Sequence, residues 1–193
     1  MTGQIITVRH GRPALSRRVI FSANGYGEWW QKYDEGGLYA GQTPPDRLME
    51  VASAAVRVYA SIMPRAIETA EMIARDKSLI KSDPLFVEAP LPPPPWPDWL
   101  KLSPRFWGVI SRLYWNFGYV IGDMETKDQA WVRVDRILDK LIEDAASGDV
   151  VMCAHGYLNW MIARRANARG IKCREWHGGN KYWSFRRYDI SNL

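Results

Sequence analysis

The stretch Ile5-Ile6-Thr7-Val8-Arg9-His10-Gly11 decides the fold. Its first four residues are all β-branched, and such a run predicts a buried strand. The glycine at its end allows the backbone to turn sharply or to approach a ligand closely. The strand therefore presents a guanidinium and an imidazole together at its carboxyl end, which is the edge where open α/β sheets bind ligands.

A second apolar run ends in the same way. Val150-Val151-Met152-Cys153-Ala154 leads directly into His155-Gly156. The chain has only three histidines, and packing alone does not explain why two of them stand between a strand and a glycine. The pattern predicts that His10 and His155 meet at one edge of a sheet.

Strand and helix patterns alternate along the rest of the chain. Apolar runs typical of strands occur at 56–60, at 85–87 before Glu88, and at 182–188. Helical spacing of apolar residues follows Pro45, Arg65, Thr126 and His155, and Thr126 opens a capping box with Gln129. This alternation predicts an α/β fold, a three-layer α/β/α sandwich around a mostly parallel sheet.

A proline-rich segment interrupts the alternation. The prolines at 92–95 predict a stiff, extended polyproline conformation, and the aromatic stretch 105–115 predicts an amphipathic helix. The length of 193 residues fits one domain, 1–193, in which about 90–123 forms a cap-like insertion. We expect this insertion to be a lid over the site; a helix on a membrane surface is the alternative. We expect its aromatic side chains to form core or the interface of a homodimer, and a substrate mouth lined by a few tryptophans is the alternative.

Composition and charge limit the kinds of binding partner that fit this chain. The net charge is +5, but the basic residues are spread out with no long run, so we favour a small anionic substrate over nucleic acid. No apolar stretch is long enough for a membrane span, and the first residues lack a signal-peptide pattern. We expect a cytoplasmic protein in which Cys153 and Cys173 are reduced thiols.

Five side chains fall at the predicted edge: Arg9, His10, Arg65, Glu88 and His155. Phosphoryl transfer through a histidine needs an unprotonated ring nitrogen, and neighbouring guanidiniums disfavour a second positive charge on the ring. The same guanidiniums hold phosphate oxygens with paired donors. A carboxyl group is suited to protonate the departing alcohol. The set is therefore a candidate site for phosphoryl transfer.

These residues also carry a resemblance to a known family. Arg9-His10-Gly11, the segment Ser61-Ile62-Met63-Pro64-Arg65-Ala66-Ile67-Glu68-Thr69-Ala70, Glu88 and Ala154-His155-Gly156 stand in the order and spacing of the histidine phosphatase superfamily, the phosphoglycerate-mutase-like group. The chain resembles this family across about residues 4 to 160.

The resemblance implies a role for each matching residue. His10 would become a phosphohistidine, and Arg9, Arg65 and His155 would bind the phosphoryl group. Glu88 would act as general acid and then as base. It also implies an α/β/α sandwich with a variable insertion near the site, and neither a metal nor an organic cofactor.

The sequence departs from the mutase branch at two positions. Arg12 follows the glycine where mutases carry a glutamate, and Ser16 stands where they carry an asparagine. These departures favour a hydrolase over a phosphomutase. Arg12 and Ser16 are candidates for further phosphate or substrate contacts, with a plain surface arginine as the alternative for Arg12.

The predicted function is hydrolysis of a small phosphomonoester through a phosphohistidine on His10. Besides the phosphomutase, two alternatives stay open: a second enzyme class, a phosphoprotein phosphatase, and a non-catalytic member that binds a phosphorylated ligand or a protein. Family members that dephosphorylate proteins tend to be short and to lack the insertion, which counts against the first. The intact set of histidines and arginines counts against the second.

Overall fold

Strands and helices alternate along the computed structural model of the chain, which describes residues 3–191. The strands are β1 (Gln4–Arg9), β2 (Arg57–Ala60), β3 (Ile80–Ser82), β4 (Val150–Ala154), β5 (Lys172–His177) and β6 (Phe185–Asp189). The helices are α1 (Ala23–Glu35), α2 (Asp46–Ala52), α3 (Pro64–Ile73), α4 (Pro104–Asn116), α5 (Lys127–Ala145) and α6 (Gly156–Ala168).

All of these strands belong to one sheet with the order β3-β2-β4-β1-β6-β5. The pairs β2–β3, β2–β4 and β1–β4 are parallel, whereas β6 is antiparallel to both β1 and β5. β6 is thus the one described strand that runs against the others. In the β1–β4 register Arg9 pairs with Ala154. This register places His10 and His155 side by side at the carboxyl edge of the sheet.

Helices cover both faces of the sheet, as the α/β/α prediction requires. On one face α5 and α6 pack on Ile5, Val150 and Met152. On the other face α2 and α3 pack on residues such as Ile6 and Val151. Since β1 and β4 are buried on both faces, their sequences are continuous apolar runs rather than alternating ones.

A third apolar cluster joins α1 and α4. Tyr26, Trp29 and Tyr33 lie on one side of α1 and meet Trp107 of α4, which is fully buried. The predicted helix at 105–115 is confirmed as α4. Within residues 3–191, none of the helices combines the length and apolar character that crossing a bilayer requires.

The predicted strand at 85–87 is wrong. Residues Pro84–Phe86 form a 3-10 helix, and the third strand is β3, earlier in the chain. Asp83 caps this turn by accepting a hydrogen bond from the Leu85 amide, and a proline favours the first position of a helical turn. The apolar side chains still reach the core, because Phe86 is fully buried against Tyr59. Glu88 consequently follows a turn, not a strand.

The end of the chain also differs from the prediction. The strand expected at 182–188 begins only at Phe185, because Trp183 adopts a left-handed backbone with a φ of 63°. The strand β5 lacks the apolar run of a buried strand, since most of its side chains are exposed, and the sequence did not reveal it. The capping box at Thr126 and Gln129 is confirmed at the start of α5.

Candidate active site

His10 lies directly after β1 with only 3 % of its surface exposed. Its Nδ1 lies 2.8 Å from the carbonyl oxygen of Gly11. A carbonyl only accepts hydrogen bonds, so Nδ1 carries the ring proton and Nε2 keeps a free lone pair. The backbone thereby selects the tautomer in which Nε2 is the unprotonated ring nitrogen.

His155 faces His10 across the strand ends. The two rings meet edge to face, with their centroids 5.3 Å apart. His155 Nε2 lies 2.9 Å from the hydroxyl oxygen of Ser61, which follows β2. The Nη2 atom of Arg65 lies 3.5 Å from Nδ1 of the same ring. Three neighbouring elements therefore bring these side chains together.

Arg65 is the most deeply buried charge of the site, with 1 % of its surface exposed. Its Nη1 donates to the carbonyl of Tyr33, and its Nη2 donates to the carboxylate of Asp34 at 2.9 Å. The guanidinium also stacks over the Tyr33 ring, 4.5 Å from the centroid. Both partners belong to α1, so α1 fixes the orientation of this arginine in the first turn of α3.

Arg9 approaches the site from the other side. It donates to the carbonyl of Asn180 and stacks on the ring of Tyr182 at 4.7 Å. A side chain at Gly156 would come within 3.2 Å of the Arg9 guanidinium. The glycine at the start of α6 thus leaves room for the arginine at the end of β1.

The Gly11 turn is held in place by its neighbours. Thr69 Oγ1 accepts from the Gly11 amide at 2.9 Å and donates to the carbonyl of Arg65 at 2.7 Å. A Cβ atom at Gly11 would lie 2.4 Å from the indole of Trp183. The turn after His10 therefore needs glycine for close approach, and Thr69 ties this turn to α3.

Glu88 lies at the amino end of α6. Its Oε1 accepts from the Leu158 amide at 2.8 Å, and its Oε2 accepts from the Tyr157 amide at 3.0 Å. Free amide groups and the helix dipole both favour a carboxylate at this position. Glu88 thus reaches the predicted edge although it follows a turn.

Burial dominates the electrostatics of both histidines. Burial, with the Arg65 and Arg9 charges, holds the pKa of His10 well below its usual range, although the Gly11 carbonyl opposes the shift. Burial, the facing His10 and the same arginines hold the pKa of His155 low as well. Burial raises the pKa of Asp34, against the opposing effect of Arg65. Both rings are accordingly neutral near pH 7.

Arg12 and Ser16 make contacts of another kind. Arg12 is exposed and stacks on Tyr39 at 4.7 Å. Ser16 is exposed, and its hydroxyl accepts from the amide of Arg18. Neither contact involves the two histidines or Arg65. Their part in binding substrate stays a prediction.

Arg17 reaches the site instead, which the sequence reasoning missed. Its Nη2 donates to the Tyr33 hydroxyl at 3.0 Å, and its guanidinium lies 5.9 Å from the ring centroid of Tyr182. Its charge contributes to the lowered pKa of His10. The spacing of Tyr26, Trp29 and Tyr33 was the available signal, because it marks the helix that supports Arg17 and Arg65.

A cavity of about 540 Å³ adjoins these groups. Arg9, Arg17 and Glu88 lie on its wall, whereas His10, Arg65 and His155 are buried beside it and do not line it. Helices α1 and α4 close one side with Trp29 and Val109, among others. The segment expected to be a lid therefore contributes directly to the wall of this cavity.

Comparisons with known proteins identify the family of the chain. The histidine phosphatase superfamily (branch 1) matches residues 5–189. Comparison with curated sequences gives no significant match.

The solved structures that are similar show the fold, at low sequence identity. Mycobacterial glucosyl-3-phosphoglycerate phosphatase is 18 % identical with a TM-score of 0.55, over 98 % of each chain. The ecdysone phosphate phosphatase of Bombyx mori is 16 % identical with a TM-score of 0.52, over 97 % of this chain and 91 % of that chain. The product of an open reading frame of Mycobacterium tuberculosis is 16 % identical with a TM-score of 0.56, over 98 % and 97 %. The chain therefore belongs to the histidine phosphatase superfamily, branch 1.

Proposed function

We propose that this protein is a phosphatase that hydrolyses a small phosphomonoester through a phosphohistidine on His10. The observation that carries the proposal is the His10 ring, whose Nδ1 is bound to the Gly11 carbonyl and whose pKa is held low by burial and Arg65. This is the state a nucleophilic imidazole requires. Arg9 and Arg65 supply the guanidiniums that a phosphoryl group requires.

In the first step Nε2 of His10 attacks phosphorus, and the bond from phosphorus to the alcohol oxygen breaks. Glu88 delivers a proton to that oxygen as the bond breaks, so the alcohol leaves neutral and Glu88 is left as a carboxylate. Such a positioned acid contributes about 10²–10⁴-fold to the rate. Glu88 lies on the wall of the cavity that Arg9 also lines, where a leaving group can reach it.

In the second step the carboxylate of Glu88 takes a proton from water as the water oxygen attacks phosphorus. The phosphorus–nitrogen bond breaks, Nε2 regains its lone pair, and inorganic phosphate leaves. Arg9, Arg65 and His155 surround the phosphoryl group in both steps. Phosphoryl transfer depends mainly on positioning and on charge stabilisation, and buried, preoriented donors provide both.

The size of the cavity supports a small substrate, since 540 Å³ lies within the range of small-molecule sites. Phosphate release from an aryl phosphate should be lost in His10→Ala, and wild type denatured at alkaline pH during turnover should retain phosphate bound covalently, because a phosphohistidine survives alkali but not acid. Arg18→Ala is the control, because Arg18 is exposed. Equal rates for wild type and His10→Ala would remove His10 from the reaction. Ligand binding without a trapped phosphoenzyme would indicate a non-catalytic member.

A further inference from the structure

The cavity that Arg9 lines is also lined by residues of α6 and of the hairpin of β5 and β6, and we call this part of it the groove. Five residues of this groove carry the argument: Thr7, Asn159, Trp160, Trp176 and Arg186. None of them belongs to the phosphoryl-transfer machinery proposed above. The groove is nevertheless continuous with the place where Arg9 holds the phosphoryl group.

The floor of the groove is polar and unpaired. Asn159 is only 4 % exposed, and its Oδ1 has no hydrogen-bond partner among residues 3–191. Thr7 is 1 % exposed; its hydroxyl lies beside that of Tyr188, but neither meets hydrogen-bond geometry with any described residue. Leaving a buried polar atom unpaired costs about 1–3 kcal/mol. Such atoms on a cavity wall therefore indicate a ligand with hydrogen-bonding groups.

The sides of the groove are aromatic. Trp160 stacks on Tyr157 with centroids 5.0 Å apart and is still 39 % exposed. Trp176 is 57 % exposed and carries the Arg186 guanidinium at 4.6 Å from its ring centroid. Exposed indole faces stack on planar rings, and adjacent arginine favours electron-rich or anionic groups.

We propose that this groove binds the leaving group of the substrate and that the leaving group carries a nucleobase-type heterocycle. The inference rests on the proposed phosphatase function for the placement of the phosphate at Arg9. A planar heterocycle stacks on the tryptophans and presents ring-edge donors and acceptors to Asn159 and Thr7. A purely apolar leaving group would offer no hydrogen-bond partner to Asn159 and Thr7. An open-chain alcohol would offer no ring to stack on the two tryptophans. The amide of asparagine is well suited to a base edge, because it both donates and accepts.

Binding and turnover together test the proposal. Adenosine should bind the wild-type protein in isothermal titration calorimetry, whereas ribose should not bind at equal concentration. The kcat/KM for adenosine 5'-monophosphate should exceed those for ribose 5-phosphate and phenyl phosphate by roughly tenfold, the size expected for stacking on one base. Equal kcat/KM values for the three phosphates, with no adenosine binding, overturn the groove and leave the phosphatase standing. Adenosine binding without any phosphate release supports the groove and overturns the phosphatase.

Groove variants, each with a matched control, test whether the groove residues cause the preference for adenosine 5'-monophosphate. Asn159→Leu and Trp176→Ala should each lower the ratio of kcat/KM for adenosine 5'-monophosphate to that for ribose 5-phosphate by about tenfold. The matched controls are Asn167→Leu on the exposed side of α6 and Trp99→Ala, which is 78 % exposed outside the groove. An unchanged ratio in Trp176→Ala overturns the proposal, and this surface variant decides the matter if Asn159→Leu does not fold.

Discussion

His10 shows how one set of neighbours does two tasks at the residue scale. Arg65 and Arg9 are the groups proposed to hold the phosphoryl group, and burial, together with their charges, also keeps the imidazole neutral. The Gly11 carbonyl adds the third condition, because it fixes the proton on Nδ1. Because a buried histidine stays neutral in the folded protein, the free energy of unfolding decreases when the pH falls.

The lowered pKa values of His10 and His155 determine how the free energy of unfolding changes with pH. Below about pH 6.5 the unfolded chain binds protons on these rings while the folded protein does not, so acid favours the unfolded state. We predict that the free energy of unfolding falls between pH 7.5 and 5.5, by up to about 1.4 kcal/mol per pH unit for each buried histidine.

Urea unfolding at several pH values measures this slope. His155→Gln should flatten it, and His177→Gln, which removes the exposed third histidine, is the matched control. The prediction fails if wild type and His155→Gln have the same pH dependence.

Arg17 is the second case at this scale. Its guanidinium sits between Tyr33 and Tyr182 and faces the cavity. We predict that Arg17→Gln lowers kcat/KM for an aryl phosphate by about tenfold or more, because a hydrogen bond to a charged group contributes about 1.5–3 kcal/mol. Arg17→Lys should recover part of this loss by restoring charge. A loss of the same size in Arg18→Gln would point to a general effect of surface charge instead.

At the element scale, α6 connects the two halves of the site. His155 precedes its first turn, Gly156 makes room for Arg9, and the amides of Tyr157 and Leu158 hold Glu88. Because Glu88 comes from a turn after β3, this helix start is what brings the carboxylate to the strand ends. Glu88 is consequently both a structural cap and the proposed acid.

Two substitutions at Glu88 separate these roles. Glu88→Gln keeps an oxygen for the α6 amides but cannot donate the catalytic proton, so kcat should fall by about 10²–10⁴-fold. Its free energy of unfolding should stay within about 1 kcal/mol of wild type, whereas Glu88→Ala should lose about 0.5–2 kcal/mol as the cap is removed. Steady-state rates and urea unfolding of both variants give the comparison. A wild-type kcat in Glu88→Gln contradicts the acid role.

At the scale of the whole molecule, α1 and α4 form an aromatic layer beside the site. Their inner side chains, such as Trp107, are buried, but α4 also exposes Phe106 and Leu113, of which Leu113 lines the rim of the cavity, and Phe117 follows at its end. These three side chains are spaced to lie along one side of the helix. Contiguous exposed apolar residues commonly mark contact surfaces.

We therefore predict a homodimer that buries this face of α4. Sedimentation velocity at micromolar concentration should give the mass of two chains, and Phe117→Asp should shift it towards one chain because a charge would be buried at the interface. Lys101→Asp, a charge change at an exposed residue before α4, is the control. A monomeric wild type at this concentration ends the idea.

Much of the site was predictable from local pattern. The runs before His10 and His155 are continuous and apolar because both strands are buried on two faces, and parallel pairing then brings their ends together. Arg65 was predictable for the same reason, since α3 follows the neighbouring strand β2. The sequence alone thus determined the α/β/α class and the meeting of these three residues at one edge.

Other features depend on contacts between distant segments, and no local pattern encodes them. Glu88 was expected at a strand end, but the residues before it form a proline-started turn, and only the amides of α6 draw it to the site. Arg17 and Asp34 reach the candidate site because α1 packs beside Arg65: Asp34 belongs to α1, and Arg17 donates to Tyr33 of the same helix. The Asn159 Oδ1 atom, which has no hydrogen-bond partner among residues 3–191, becomes buried only once α6 lies against the sheet. Tertiary structure decided these positions, because burial and pairing arise only when the segments pack together.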